Sequence, residues 1–118
     1  MIDPLSNAIV GHLVGDYILQ NNYLAMNKKK NSWVCFLHCY LYTLSVNICT
    51  FNVWPLWCYI LIFLEHFVQD RTYVIDWLMD YVLGQREFRQ NLTPWSSIVV
   101  DNVFHILFLW VIANFVGQ

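Results

Sequence analysis

Four long apolar runs, each broken by a few polar residues, set the pattern of this chain: about residues 4–25, 33–51, 53–70 and 97–116. Three of the four runs carry their polar positions at helical spacing: His12, Asp16 and Gln20 in the first, His66 and Asp70 in the third, Asp101 and His105 in the fourth. Four residues advance a helix by about 6 Å and about 40° around its axis, so each set projects from one face. Each run approaches the roughly 20 residues that cross a hydrocarbon core of about 30 Å, where backbone polar groups are satisfied within a helix. The pattern predicts an all-α protein: an up-down four-helix transmembrane bundle in one integral membrane domain over residues 1–118. Pro55 and Pro94 fall near segment starts, where a missing N–H costs least.

The connector over about residues 71–95 adds a further element. Thr72, Asp76 and Asp80 stack at four-residue spacing while Val74, Ile75, Leu78 and Val82 face elsewhere, the signature of an amphipathic helix. A continuous helix from Val53 to Leu83 would run about 46 Å, so it either protrudes or bends to lie in the membrane interface. Gly84 reads as its C-cap, residues 85–95 as polar loop, Asp76 and Asp80 as a solvated face, and Ser96 and Ser97 as caps of the last helix.

Composition strengthens the membrane reading, because 58% of residues are hydrophobic and only 12% charged, against about 25% charged in soluble domains. All six basic residues lie in two connectors: Lys28, Lys29 and Lys30, then Arg71, Arg86 and Arg89. Basic residues mark the cytoplasmic side, which places both termini on the opposite side. Trp33, Trp77 and Trp95 near these connectors, and Trp54 and Trp57 near the opposite turn, fit two interfacial aromatic belts. The first run lacks a basic leader and a small-residue cleavage site, so it is expected to remain in the mature protein. A net charge of −2 gives no nucleic-acid footprint. Cys35, Cys39, Cys49 and Cys58 read as packing residues, with Cys35 and Cys39 flanking His38, and Tyr17, Tyr40 and Tyr42 read as packing rather than reactive. With only four glycines, small-residue interfaces look sparse, and a homo-oligomer stays open.

The histidines carry the candidate chemistry. One His–Asp pair at this spacing is ordinarily a hydrogen-bonded packing pair; three such pairs plus His38 account for every histidine, and topology brings all of them toward the end bearing the basic connectors. Intramembrane carboxylates cost about 2.5–3.5 kcal/mol each on insertion scales and face the bundle interior. A divalent cation neutralises them and accepts imidazole nitrogen, and bundles build such sites from inward-facing side chains. The expected ligands are His12, Asp16, His38, His66, Asp70, Asp101 and His105, for one or two ions. Zinc is first among the metals, with manganese and iron as alternatives. The surplus over one tetrahedral shell is available to a second metal, to carboxylates that orient imidazoles, or to a general base, for which Asp16 and Asp101 are the candidates.

The segments HLVGDYILQ from His12, the lysine run after it, LHCYLYTL around His38, EHFVQD from Glu65 and DNVFHILFLWV from Asp101 resemble, in order, a family of small bacterial and phage membrane proteins of unknown function. That family is similar to inner-membrane proteins described as metal-dependent hydrolases. The chain departs from its pattern at Asn102, where glutamine is common, and at Arg71, where a lysine follows a few residues later. The resemblance implies a metal-dependent hydrolase of a bacterial inner membrane, and the depth of the site beside the basic connectors points to a lipid or amphiphile reached from the cytoplasmic side. Gln20 would orient a ligand or substrate, and Arg71 with the lysines would attract an anionic group. Two further readings share these residues: a proton or ion path, and an accessory protein that binds a membrane partner.

Overall fold

The computed structural model describes residues 3–91 and 95–116, and among these every regular element is helical. The elements are α1 (Pro4–Leu13), α2 (Asn22–Asn27), α3 (Ser32–Cys49), α4 (Leu56–Arg71), α5 (Val74–Tyr81), α6 (Arg86–Asn91) and α7 (Trp95–Val116), with α1 running directly into a π-helical turn, Val14–Ile18. The long helices form the bundle, α1 packing on α3 and α7 and α4 packing on the same two. Two of these helices, α3 and α7, are long and apolar enough to cross a membrane.

The two ends of the bundle differ in kind. At the end holding the α3–α4 turn, Val46, Cys58, Ile62, Leu109, Ile112 and Ala113 are part of the apolar core. Toward the other end the buried residues become polar: His12, Asp16, His38, His66, Asp70 and His105. Two glycines allow α1 to lie against α3. A Cβ on Gly11 would stand 2.7 Å from Val46 Cα, and one on Gly15 would stand 3.0 Å from Tyr42 Cα. Small residues one turn apart let helix backbones approach in this way. Few as the glycines are, two of them set this interface.

Several sequence expectations are corrected. The first helix does not run to residue 25: it ends in the π turn, and the chain bends at Leu19–Asn21. A π turn departs from the regular ladder, and polar side chains satisfy what the break frees. Gln20 Nε2 donates to the Asp16 carbonyl at 3.1 Å, and Asn21 Oδ1 accepts from Leu24 N at 2.9 Å to cap α2. Of the two alternatives for the segment 53–83, protrusion or a bend, the chain takes the bend: α4 and α5 are separate helices. After Pro55 at its N-cap, α4 stops at Arg71, because Lys29 Nζ donates to the carbonyls of Gln69, Asp70 and Thr72 at 3.4, 3.1 and 2.6 Å. A cation on these terminal carbonyls is the favourable end of the helix dipole. The interlock also puts the lysine connector and the α4 terminus at one end of the bundle.

Residues 86–91, expected as loop, form α6, which Arg89 clamps to α5 through Asp80 at 2.7 and 2.8 Å. Asp80 is therefore paired, and Asp76 accepts from Ser97 Oγ at 3.1 Å, so neither is simply a solvated carboxylate. Ser96 is buried inside the first turn of α7 rather than capping it. Gly84 has the expected C-cap conformation, with φ +66°. Trp54 is buried at 5% exposure and belongs to the core, whereas Trp33, Trp57, Trp77 and Trp95 are exposed. Pro94 lies outside the described residues.

Candidate metal centre

Four ligand atoms from three segments converge in the polar half of the bundle. The π turn carries Asp16, α3 carries His38, and α4 carries His66 and Asp70 one turn apart. The Nε2 atoms of His38 and His66 lie 3.0 Å apart. Asp16 Oδ1 stands 3.3 Å from His38 Nε2 and 3.2 Å from His66 Nε2, and Asp70 Oδ2 stands 2.9 and 3.1 Å from the same two atoms. Tetrahedral coordination with bonds of about 2.0–2.1 Å separates neighbouring ligand atoms by about 3.3–3.4 Å. The observed edges are close to that tetrahedron.

The donor chemistry fits a cation better than it fits mutual hydrogen bonding. Asp16 Oδ1 is buried and has no hydrogen-bond partner of acceptable geometry, although two imidazole nitrogens lie within 3.3 Å of it. Atoms aimed at a common centre rather than at one another produce that result. These buried histidines and aspartates can hold a metal ion.

A second group adjoins the first through Asp70. Its other oxygen, Oδ1, lies 3.2 Å from His105 Nε2, and Asp101 Oδ2 lies 3.3 Å from the same nitrogen. Glu65 Oε1 holds His105 Nδ1 at 2.9 Å, and Gln69 Nε2 donates to Asp101 Oδ1 at 2.9 Å. The rings of Tyr42, His66 and His105 stack in sequence, with centroids 3.6 and 4.0 Å apart.

Of the seven expected ligands, six have atoms in these two groups; His12 does not. Its Nδ1 meets Tyr42 Oη at 2.9 Å and its Nε2 meets Asn102 Oδ1 at 2.7 Å, while Asp16 Oδ2 lies 3.6 Å away. Both ring nitrogens are thus engaged, and His12 stands behind Asp16. Asn102 also contacts the Tyr17 hydroxyl. Arg71 donates to the Lys29 carbonyl and to Ser32 Oγ. Gln20 spends its amide nitrogen on the Asp16 carbonyl. Cys35 and Cys39 are buried free thiols, their sulfurs 3.9 Å apart, and Cys35 donates to the Phe67 carbonyl.

Lys28 is the cation that reaches the cluster. Its Nζ lies 3.0 Å from Asp70 Oδ2. Burial alone would depress this amine, but the Asp70 carboxylate outweighs burial and holds the pKa above its ordinary value. Two cavities open beside it. One of about 140 Å³ is lined by Lys28, Asp70, Asp76, Ser97 and Asp101; another of about 240 Å³ is lined by Asp16, Gln20, Lys28, Asp101 and Asn102. Asp101, 27% exposed at its side chain, faces both.

Sequence reasoning missed Glu65, Gln69 and Tyr42 as members of this network, whereas Asn102 stands out in the sequence as a departure from the family pattern. Glu65 carried a signal, being a carboxylate inside an apolar run and next to a candidate ligand. Comparison with curated proteins and with solved structures finds no match. A family model described as "Protein of unknown function (DUF3307)" matches residues 5–118, so the chain belongs to the DUF3307 family.

Proposed function

We propose that this protein is a membrane-embedded, metal-dependent hydrolase whose substrate is an amphiphile with an anionic headgroup, entering from the cytoplasmic side. The observation that carries the metal is the convergence of Asp16, His38, His66 and Asp70 on one point. Imidazole mixed with carboxylate suits zinc first, then manganese or iron. A divalent cation held in this cluster with one position open to solvent would supply Lewis-acid polarisation of a carbonyl or phosphoryl group and would acidify water. Lys28 is positioned to attract the anion, and Asp101 is the carboxylate that a molecule entering either cavity meets. Asp16, more deeply placed, serves as a ligand.

Membrane embedding by all four long helices is supported by the reversal of ordinary burial. Val10, Phe36, Leu64, Val103, Leu107 and Phe115 are exposed while the histidines are enclosed, and exposed apolar surface on this scale marks contact with lipid or protein. The exposed tryptophans at both ends suit interfacial belts. The basic residues Lys28, Lys29, Lys30 and Arg71 at the cluster end support an orientation with that end toward the cytoplasm of a bacterial inner membrane and both termini across it. The amphiphile is supported by an apolar groove of about 430 Å³ between α4, α5 and α7, lined by Leu61, Leu64, Val68, Val74 and Phe108 and reaching Glu65 and Gln69.

A second reading, a proton path, has one observation in its favour: polar contacts run without a break from Glu65 through His105, Asp70, His38, His66 and Asp16 to His12. That path stops against Val46, Ile62 and Leu109, which fill the other half of the bundle. Reconstitution in proteoliposomes separates the readings. The hydrolase is expected to cleave phospholipid or a chromogenic phosphodiester, to stop with chelator and to lose activity on Asp101→Asn. Proton flux that follows an imposed pH gradient, with no ester or phosphodiester turned over in the metal-loaded protein, would overturn it.

A further inference from the structure

We infer that a second divalent cation binds between Asp70 Oδ1, Asp101 Oδ2 and His105 Nε2, sharing the Asp70 carboxylate with the first. The inference rests on the metal reading above and extends it to a bridged pair.

The argument begins at Glu65. Its carboxylate lies 2.9 Å from His105 Nδ1, in an environment where the His105 side chain is fully buried. An imidazole whose Nδ1–H donates to a carboxylate presents the lone pair of Nε2, the usual arrangement behind a metal-binding histidine. That lone pair faces two carboxylate oxygens, Asp70 Oδ1 at 3.2 Å and Asp101 Oδ2 at 3.3 Å. Three acceptors turned toward one point require positive charge between them. Gln69 fixes the arrangement further, since it takes Asp101 Oδ1 and leaves Oδ2 on the His105 side.

Charge favours a metal over a proton on His105. Asp16, Glu65, Asp70 and Asp101 converge here, and one divalent cation with the Lys28 ammonium leaves a negative charge unbalanced. A second divalent ion reverses that sign and leaves room for an anion. The two oxygens of Asp70 point to different histidines, as a bridging carboxylate does, and bridged pairs stand about 3.5–4 Å apart.

The two positions differ in access. The first has four protein ligands, three of them buried to 2% exposure or less and Asp16 buried at 9%. The second has three, one of which, Asp101, faces both cavities. A metal with three protein ligands and an accessible fourth place is the pattern of a catalytic ion. The substrate's anionic oxygen would therefore coordinate at the Asp101–His105 position, beside Lys28.

Metal content per chain, measured after loading the purified protein with zinc and removing excess, tests the pair. Wild type is expected to hold two ions, and Asp101→Asn and Glu65→Gln to hold one. One ion in wild type, kept in Asp101→Asn, would overturn the second position while the first stood; none would remove both. Manganese loading of wild type gives a readout independent of variant folding. The exchange-coupled electron paramagnetic resonance spectrum of a bridged pair is expected, and a spectrum of isolated ions at full loading would contradict the bridge.

Discussion

Gly15 lies against the backbone of Tyr42, so closely that a Cβ on Gly15 would stand 2.9 Å from Tyr42 Cδ2 and 3.0 Å from its Cα. The contact couples helix packing to the site, because Tyr42 stacks on His66 with ring centroids 3.6 Å apart and bonds His12 at 2.9 Å. Gly15→Ala must push the π turn and α3 apart. Overpacking of this kind costs about 1–3 kcal/mol, and the displaced Tyr42 should weaken metal binding as well. Reversible unfolding in mixed detergent, with and without zinc, checks both effects. A variant as stable and as tightly metallated as wild type would contradict the coupling.

Residues behind the ligands should tune the ion without being required for it. Tyr42→Phe and Asn102→Ala each remove one partner of His12. Loss of a contact made directly to a ligand reduces metal affinity by about 10–100-fold, and these changes, one step further out, should cost about 10-fold or less. Competition against a fluorescent chelator should show that reduction in both, whereas His38→Ala should lose the ion outright. The reverse ranking would mean that His38 is not a ligand.

Metal removal should destabilise the fold, because the cluster exists only when the helices are assembled. An ion present at about 100 times its dissociation constant adds about 2.7 kcal/mol to the folded state. Chelator should therefore lower the unfolding midpoint of wild type and leave unchanged that of a triple variant, His38→Ala, His66→Ala and His105→Ala. Thermal scans in detergent provide the comparison.

The α5–α6 clamp carries a pH dependence. The Arg89 guanidinium beside Asp80 holds its carboxyl below the ordinary carboxylate value. A carboxyl depressed by folding contributes stability that is fully present above its ordinary pKa and is lost as pH falls through the depressed value. Backbone amides of α6 should stay protected from hydrogen exchange near neutrality and lose protection in acid, with Asp80→Asn showing the acid behaviour at neutral pH. Protection that does not change with pH or with Asp80→Asn would contradict the clamp.

Much of the site was legible in the sequence because four-residue spacing on a helix is a geometric statement. His66 with Asp70 and Asp101 with His105 meet at 3.1 and 3.3 Å. The first pair was harder to read. The π turn over Val14–Ile18 interrupts the regular ladder, and Asp16 Oδ1 lies closer to His38 and His66 than its Oδ2 does to His12. Spacing alone cannot reveal a π turn. Glu65 follows a different logic: one residue from His66, it points about 100° around α4 and meets His105 across the helix interface, a contact between segments that periodicity within a segment does not encode. The end of α4 at Arg71 lies close to the expected end of the third run, whereas its cap was hidden, since the Lys29 amine on the terminal carbonyls comes from a connector about 40 residues earlier.

X-ray absorption at the metal edge of protein purified without chelator is the most direct measurement of the central claim. It should show a stoichiometric transition metal with nitrogen and oxygen neighbours at about 2.0–2.1 Å and the multiple scattering of imidazole, both lost in a triple variant, His38→Ala, His66→Ala and His105→Ala, that removes the imidazoles of both positions. Protein that holds no metal after loading, or metal that survives the triple variant with its imidazole signature intact, would contradict it.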